Sequence, residues 1–430
     1  MRKNKRKYQR KSLFKKVIIL IVVLLLGTFG IYYFIHEETL KKEEEKVKEQ
    51  EITIKSHYNE SVVTNEKVKI YKKINNQYEE SGEINKGIEL SLEKQDVTIE
   101  DTYFKITNLP EEYYIYYSKV TPIEKLTTTN SDRYKRYIPF NKNIITKEKT
   151  SFYDENVTLQ YTINKSFDLP IIVNDNPLYG VEYNGKLLYV KNEDIAEIKD
   201  SQNTTLSNTK GVSVLNYHFF YDENDSKERA SCNQEICHSK KQFRTHLEYI
   251  KEKNILTLTM KELEWYIDGK VQLPRSVAIT IDDGWMSGHG VELLNEYKLN
   301  GTVFLITKSY DPQWIVSPYV EAHSHSDNLH RNNICNKGNQ GGAILCDDSD
   351  SIIADLKLSR EKLSGSTVFC YPFYDYDARA MELVKEAGFT MAFVGGEYRK
   401  VVVNDNKYKL PRYVIGTWTT LEDFKRYVAS

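Results

Sequence analysis

The chain has almost no net charge. Its 60 Lys and Arg residues oppose 61 Asp and Glu residues, which leaves −1 over 430 residues. A nucleic-acid-binding protein would show a strong basic excess, so no nucleic-acid partner is expected. Cysteine is also scarce, and its five residues all follow residue 230 without any CxxC spacing. Zinc binding by thiolates therefore lacks its usual signature.

The first 35 residues have the pattern of a membrane anchor. A basic tail at 1–16 precedes an apolar run at 17–35, which is long enough to cross a bilayer as a helix. The basic flank is expected to remain in the cytoplasm, which places the rest of the chain outside the cell. A cleaved signal peptide is the alternative, but the run ends in aromatic residues without a clear small-x-small site. We expect a single-pass protein of the cell membrane.

The cysteines form two close pairs in the sequence, Cys232 with Cys237 and Cys335 with Cys346. Outside the membrane, close pairs of this kind favour disulfides that pin loops. Cys370 is left over and is predicted to be a free thiol.

The composition changes several times along the chain, and this indicates separate domains. A charged stalk is predicted at 36–56, and two small all-β domains at 57–126 and 127–199. Each of the two opens with a short strand and closes with a Tyr-rich strand and a polar turn, a pattern that resembles bacterial SH3-like barrels. A single all-β spacer is the alternative. A polar linker at 200–211 leads into the last domain, 212–430.

The last domain alternates between strand and helix patterns. "VSVLNYHFF" predicts a strand, "SKKQFRTHLEYIKEKN" an amphipathic helix, and "SVAITID", "GHGVELLNEYKLN" and "GTVFLIT" a strand, a helix and a strand. Such alternation is typical of a parallel sheet or barrel, so the fold class is α/β. In these folds the chemistry collects at the carboxyl ends of the strands.

Two adjacent carboxylates, Asp282 and Asp283, follow the buried run "SVAITI". An Asp-Asp-Gly turn, with Gly284 at positive φ, is the simplest explanation. However, "EAHSHSDNLH" also follows a strand, and its His325 and His330 are five residues apart. Two imidazoles and one carboxylate make an open divalent-metal site. One aspartate would then bind the metal and the other would act as a base.

These motifs together resemble a known family. "TIDDG", "HSHSDNLH" and "FCYPFYDYD" are similar to the first three motifs of carbohydrate esterase family 4, the polysaccharide deacetylases with the NodB-homology fold. The likeness covers roughly residues 211–425 and is specific when the motifs are taken jointly. It implies a distorted (β/α) barrel at the carboxyl terminus and a metal-dependent enzyme.

The resemblance assigns roles to individual residues. Asp283, His325 and His330 correspond to the metal ligands and Asp282 to the general base. The Phe373 backbone N–H would help to hold the oxyanion of the tetrahedral intermediate. The metal is expected to be Zn²⁺, although this donor set also accepts Co²⁺, Ni²⁺ or Mn²⁺.

The chain departs from the family pattern at two points. Members often have Arg where this chain has Cys370; Arg412, in "LPRYVI", is the candidate to supply the missing charge near the base. A surface salt bridge of Arg412 is an equal alternative. The family's last motif normally offers a His as general acid, but no histidine follows His330. Either Asp282 returns the proton, or another group does, or the enzyme is slow.

The resemblance implies removal of N-acetyl groups from N-acetylglucosamine units of a cell-surface polysaccharide. The five-residue spacing of the histidines is more similar to deacetylases of poly-N-acetylglucosamine than to the peptidoglycan branch, where four is usual. An O-acetyl esterase and a catalytically weak protein that binds the cell wall are the alternatives. Acetate release would separate the weak binder from an enzyme.

The remaining polar residues near the motifs have competing interpretations. In an extended segment His323 would point away from His325, so a role as a third ligand is disfavoured. His218 either lines the cleft or packs in the core. His246 and His289 lie in helical patterns and are expected at the surface. Asp327 either orients a histidine ligand or caps a helical turn.

Overall fold

The computed structural model describes residues 35–46, 61–93, 103–126, 132–183, 185–315 and 317–429. The predicted basic tail and all of the predicted anchor except Ile35 lie outside these residues. Residues 35–46 are helical and exposed. Within the part of the chain that is described, no helix combines the length and apolar character that a membrane span requires.

The described residues divide into two compact units. The first contains the described residues before 127 together with Leu159–Asn164; the second contains the described residues of 132–158 and 165–429. The predicted domain boundaries, and the SH3-like character of the β regions, stay predictions.

The first unit is built from antiparallel strands. These are β1 (Ser61–Thr64), β2 (Val68–Ile74), β3 (Gln77–Ile84), β4 (Glu89–Ser91), β5 (Tyr103–Ile106), β6 (Tyr113–Tyr116), β7 (Val120–Ile123) and β10 (Leu159–Ile163). β1 lies between β4 and β7, and the other strands pair in the order β10-β3-β2-β6-β5. Alternating residues such as Ile70, Leu90 and Ile115 are fully buried, as expected for sheets with one covered face.

The second unit begins with a β region that packs against the last domain. Its strands are β8 (Lys142–Thr146), β9 (Thr150–Tyr153), β11 (Asp168–Pro170), β12 (Val173–Asp175), β13 (Leu178–Tyr183), β14 (Lys186–Lys191) and β15 (Ile195–Asp200). The buried carboxylate of Glu262 in the last domain accepts hydrogen bonds from Arg133 Nε at 2.7 Å and from the Tyr137 hydroxyl at 2.5 Å. These charge-assisted contacts hold the two parts of the unit together.

The last domain alternates strands with helices, as predicted. The strands are β16 (Ser213–Tyr217), β17 (Phe219–Tyr221), β18 (Cys237–Ser239), β19 (Leu256–Thr257), β20 (Ser276–Ile281), β21 (Gly301–Leu305), β22 (Val320–Ser324), β23 (Val368–Cys370), β24 (Met391–Phe393) and β25 (Tyr413–Val414). The helices are α1 (Ser226–Ser231), α2 (Lys240–Glu252), α3 (Met260–Ile267), α4 (Gly288–Tyr297), α5 (Ala343–Cys346), α6 (Ser349–Lys362), α7 (Ala378–Glu386) and α8 (Leu421–Tyr427). The α/β class is therefore confirmed.

The main sheet of this domain is parallel and curls towards a barrel. Its order is β24-β23-β22-β21-β20-β16-β25, with β19 also on β20. All six residues of β20 are buried, because the sheet is covered on both faces. The segment before β25 bonds to β24, since the Leu410 amide donates to the Ala392 carbonyl and Leu410's carbonyl accepts from Val394, both at 2.9 Å. The two edges of the sheet thus approach each other.

The predicted disulfides are confirmed. Cys232 is bonded to Cys237 and Cys335 to Cys346, while Cys370 is a free, buried thiol. Each bond closes a short loop, across 5 and 11 residues respectively.

The expectation that His246 lies at the surface is wrong. It is 6% exposed, its ring stacks on Phe424 with centroids 3.9 Å apart, and its Nδ1 lies 2.9 Å from the Tyr217 hydroxyl. The reason is its place on α2, where Phe243, His246 and Ile250 share the buried face at helical spacing. His289 is half-buried and pairs with Glu228 of α1 at 2.9 Å.

Candidate metal centre

The residues singled out by the motifs meet at one edge of the parallel sheet. Asp282 and Asp283 follow β20, His325 follows β22, and Phe373 lies just after β23. These are the carboxyl ends of neighbouring strands, where ligand sites of open parallel sheets form. Arg412 immediately precedes β25 and is fully buried, so its side chain enters the site through the interior.

The turn after β20 separates the two adjacent carboxylates. Asp283 has φ 75° and Gly284 has φ 95°, so the chain bends sharply here. A Cβ atom at Gly284 would lie 2.8 Å from Leu305 Cδ2, which leaves glycine as the fitting residue. The Asp282 amide donates to the Tyr217 carbonyl at 2.9 Å. The simple turn and the functional site are therefore the same structure.

Three of the predicted residues form a cluster that is able to hold a metal ion. Asp283 Oδ1 lies 3.1 Å from His325 Nε2 and 3.2 Å from His330 Nε2. The potential ligand atoms of all three lie within 4.8 Å of one another. Burial raises the pKa of Asp283, but hydrogen bonds from the two histidines outweigh it and bring the pKa well below its usual value. The carboxyl is thus ionised at neutral pH, as a ligand must be.

The orientation of His325 is fixed by the backbone. Its Nδ1 lies 2.9 Å from the carbonyl oxygen of Cys370. A carbonyl only accepts, so Nδ1 donates a hydrogen to it and Nε2 is the nitrogen directed at Asp283. With Nδ1 held in this way, Nε2 is the nitrogen that a metal at the cluster would take.

The loop between the two candidate ligands His325 and His330 is shaped by a carboxylate of α6. Asp355 accepts from the amides of Asp327 and Asn328 at 2.9 and 2.7 Å. Asp327 in turn accepts from Thr307 Oγ1 at 2.7 Å and Lys362 Nζ at 2.5 Å. Asp327 therefore anchors the loop, and this arrangement accommodates the five-residue histidine spacing.

Asp282 has a different environment from its neighbour. It is 1% exposed, and its two oxygens accept from Arg412 Nη1 at 2.7 Å and Nη2 at 2.8 Å. Burial raises the pKa of Asp282, but the charge of Arg412 and its hydrogen bonds outweigh burial, so the pKa is lowered. Arg412 is 0% exposed, which excludes the alternative of a surface salt bridge.

Cys370 lies against both members of this ion pair. Its Sγ is 3.3 Å from Asp282 Oδ2 and 2.8 Å from Arg412 Nη2. Burial raises the pKa of the thiol and outweighs the opposing effect of the Arg412 charge, with the Asp282 carboxylate acting in the same direction as burial. The thiol is therefore neutral, and it fills the space beside the guanidinium without adding charge.

Phe373 borders the metal cluster from the third motif. Its ring lies 4.3 Å from the ring of His330 between centroids. Phe373 and Tyr374 both have positive φ, 57° and 58°, a conformation that non-glycine residues adopt rarely. Backbone strain of this kind is concentrated at functional sites.

His218 is the residue whose place the sequence left open, and it lies in the site. Its Nε2 is 4.0 Å from Asp282 Oδ2 and 3.3 Å from the Tyr374 hydroxyl, which donates to Asn216 at 2.8 Å. Among the described residues none hydrogen-bonds to its buried Nδ1. Burial lowers the pKa of His218. Strand register is the signal that could have placed His218 in the site. Tyr217 lies opposite Ile281, so His218 and Asp282, which follow them, are neighbours.

His323 points away from the cluster, as expected. Its Nδ1 lies 2.8 Å from Ser366 Oγ, and its Nε2 lies 3.7 Å from Glu321. The structure thus brings together Asp282, Asp283, His325, His330, Phe373 and Arg412, and adds His218.

Comparisons with known proteins agree on one family for this region. Residues 269–392 match the family described as polysaccharide deacetylase. A poly-β-1,6-N-acetyl-D-glucosamine N-deacetylase of Staphylococcus aureus (strain MSSA476) is 26% identical over 235 residues, 47% of this chain and 78% of the relative.

Solved structures of similar proteins include IcaB from Ammonifex degensii, with 18% identity and a TM-score of 0.43 over 52% of this chain and 98% of that one. A putative polysaccharide deacetylase from Bacillus anthracis has 15% identity and a TM-score of 0.43 over 81% of this chain and 100% of that one. Residues 269–392 are thus similar to polysaccharide deacetylases, in agreement with the predicted enzyme class.

Proposed function

We propose that this chain hydrolyses N-acetyl groups of N-acetylglucosamine units in a cell-surface polysaccharide, at a divalent-metal site. The observation that carries the proposal is the unlike environment of two adjacent carboxylates. Asp283 faces two imidazoles at 3.1 and 3.2 Å, whereas Asp282 is paired with a buried guanidinium at 2.7 Å. Neighbouring groups with separated environments are typical of separated catalytic roles.

The donor set of the cluster fits a divalent cation. Asp283, His325 and His330 would hold it through one carboxylate and two imidazole nitrogens, and the fixed orientation of the His325 ring supports this. Zn²⁺ suits these donors best, and Co²⁺, Ni²⁺ and Mn²⁺ are also accepted. A bound cation would supply Lewis-acid polarisation of the acetyl carbonyl and of the attacking water.

Asp282 is the general base in this proposal. It takes a proton from the attacking water, and the ion pair with Arg412 keeps its carboxyl ionised and oriented. The N–H of Phe373, in a strained turn beside His330, donates to the oxyanion that develops on the acetyl carbon.

His218 is the candidate to return a proton to the leaving nitrogen. The chain has no histidine after His330, and His218 lies beside the base at 4.0 Å from Asp282 Oδ2. An amine leaves poorly as an anion, so amide cleavage needs a proton donor at this step. Burial lowers the pKa of His218 and keeps its imidazole neutral, so the proton it delivers is the one that Asp282 takes from the attacking water.

The substrate is a polymer of N-acetylglucosamine, either poly-β-1,6-N-acetylglucosamine or peptidoglycan. The similarity to the staphylococcal poly-β-1,6-N-acetyl-D-glucosamine N-deacetylase and the five-residue spacing of His325 and His330 favour the first. The catalytic domain is extracellular, and residues 17–35 anchor the chain in the cell membrane.

Acetate release by the full chain tests the function. We expect acetate and new primary amines in equal amounts from poly-β-1,6-N-acetylglucosamine, and none with the Asp283→Ala variant. Release from O-acetylated glycan without amine formation would show an O-acetyl esterase instead. No release from either polymer in the presence of Zn²⁺ would leave only glycan binding.

Protease treatment of intact cells tests the location. The region after residue 36 should be degraded while cells remain unbroken. Complete protection in unbroken cells would contradict the anchored, extracellular arrangement.

A further inference from the structure

Five half-buried tyrosines share one face of the sheet in the first unit. They are Tyr71 on β2, Tyr78 on β3, Tyr103 on β5, and Tyr114 and Tyr116 on β6. On β6, Tyr113 and Ile115 alternate with Tyr114 and Tyr116, and both are fully buried. Because strand residues alternate between faces, the rings of Tyr114 and Tyr116 lie on the side away from that core.

Strand register places these rings next to one another. Tyr71 lies opposite Tyr114, and Tyr103 lies opposite Tyr116. The rings of Tyr78 and Tyr103 stack with centroids 4.0 Å apart and planes at 16°. Edge contacts at 5.1 to 5.6 Å join Tyr71, Tyr114 and Tyr116 to this pair. We call this connected set of five rings the tyrosine face.

Most of the charged groups beside the tyrosine face are compensated in pairs, and Lys73 instead lies over the Tyr78 ring, 5.6 Å from its centroid. Lys69 contacts Glu80 at 2.6 Å, and Lys105 lies between Glu112 and Glu93, the latter at 3.6 Å. Such exposed pairs add little stability, but they cancel most of the local field. The surface therefore lacks the single-sign charge that would select an anionic or a cationic polymer.

The surroundings of the rings are polar rather than aliphatic. The direct cross-strand partners of the tyrosines are Tyr, Lys or Glu, for example Glu80 opposite Tyr71 and Lys105 opposite Tyr114. A protein partner would favour an apolar centre at such a patch. The rings stand at steep angles to their neighbours except for the stacked pair. The half-buried ring surface that remains, bordered by hydrogen-bonding groups, suits a ligand with apolar C–H faces and many hydroxyl groups.

We propose that the tyrosine face is a second glycan-binding site, which stacks the sugar rings of an uncharged, acetylated stretch of polysaccharide. A polymer presents many more units than a catalytic site takes, so a separate binding site for the same polymer has a ligand at hand. The identity of that polymer rests on the proposed function. The existence of the site does not, because it is measured without turnover.

The test measures binding by the full chain in the Asp283→Ala background, which removes turnover. The probe is poly-β-1,6-N-acetylglucosamine, followed by affinity electrophoresis. Replacing Tyr103 and Tyr114 together by Ala should weaken retention roughly tenfold or more, because two of the five rings are lost. Replacing both by Phe should retain most of the binding, because the rings remain.

A matched control is Tyr249→Ala in α2, another half-buried tyrosine in ring and lysine contacts. This variant should bind the polymer as the parent does. With Asp283 restored, the double Ala variant should deacetylate a short oligosaccharide at the parental rate but show a raised KM on the polymer.

Three outcomes would overturn the proposal. Unchanged retention of the double Ala variant would exclude the tyrosine face as a site. Equal losses in the Phe and Ala variants would exclude ring stacking. Stronger binding of the fully deacetylated polymer than of the acetylated one would show a charge-selective surface. Binding without any acetate release would refute only the proposed function.

Discussion

Replacing Arg412 by Met tests the electrostatic arrangement of the site. Arg412 is fully buried and donates to Asp282 at 2.7 and 2.8 Å, to the Val394 carbonyl at 2.9 Å and to Thr280 at 3.2 Å. Met has a similar length but no charge or donors. The substitution therefore leaves the Asp282 carboxylate in the interior without its counter-charge.

The expected loss of stability is large for a single substitution. Removing one partner of a buried ion pair costs about 3–5 kcal/mol, and a domain of this size loses about 2–4 °C of Tm per kcal/mol. Arg412→Met should therefore lower Tm by roughly 10 °C. Adding Asp282→Asn removes the uncompensated charge, so the double variant should melt above Arg412→Met alone.

The same substitution should change the pH dependence of catalysis. Arg412 lowers the pKa of Asp282, and a general base must be ionised to act. Without Arg412 the pKa of Asp282 rises, so the acid limb of kcat/KM moves to higher pH. Arg412→Lys keeps a charge but loses the two-point contact, and its acid limb should lie between those of the parent and the Met variant.

Thermal melts and pH profiles of kcat/KM on the same protein samples are the measurements. Arg399→Met is the matched control, since Arg399 pairs with Asp405 at 2.8 Å but its side chain is 47% exposed. It should cost less than about 1 kcal/mol. The reasoning is refuted if Arg412→Met melts like this control, or if its acid limb stays in place.

Other consequences of the site and of the core are equally open to measurement. His325→Ala should lose both bound metal and acetate release, and parental metal content would exclude this ligand. Asp282→Asn should keep the metal and lose ~10²–10⁴ in rate; loss of metal would mean that the two aspartates have exchanged roles. His218→Gln should slow amide cleavage while sparing an aryl acetate, whose leaving group needs no proton, and equal losses on both would exclude it as the acid. Burial lowers the pKa of His238 to about 4 and of His246 to about 3. Between these values and pH ~6.5 the unfolded chain therefore binds more protons than the folded chain. The stabilisation is full above pH ~6.5, and the free energy of unfolding falls by about 2 kcal/mol per histidine from pH 7 to 5. Urea unfolding at pH 7 and pH 5 measures this loss. If the free energy of unfolding of His246→Gln fell between the two pH values as much as that of the parent, the reasoning would be contradicted.

Periodicity was sufficient to predict the scaffold of the catalytic domain. The runs that became β16, β20 and β21 are mostly apolar, as is typical of strands buried on both faces, and the intervening helices have one apolar stripe. The sheet edge that carries the site follows from this, because Asp282 and His325 come directly after strands. The candidate metal cluster was thus accessible from local patterns, whereas the choice of Asp283 over Asp282 as the ligand came from the family resemblance.

Contacts across the interior were not accessible in that way. Asp282 and Arg412 are 130 residues apart in the sequence, and they meet because the sheet curls until the segment before β25 reaches β24. Short-range patterns do not encode this curvature. His246 was missed for another reason: its polar character suggested the surface, although its spacing from Phe243 and Ile250 placed it on the buried face.

The arginine that the third motif lacks at Cys370 has a counterpart in Arg412, which reaches the same place from a distant part of the sequence. Position 370, at the end of β23, is often Arg in the family but is a cysteine with a small thiol in this chain. The guanidinium of Arg412 occupies the adjoining space, 2.8 Å from Sγ. A second arginine at position 370 would place two cations against one carboxylate, so the two features belong together. Arg412 also binds the Val394 carbonyl just beyond β24, and it therefore links the edge strand β24 to Asp282, which directly follows β20. The charge beside Asp282 depends on closure of the sheet, which couples the protonation of this carboxylate to the integrity of the fold.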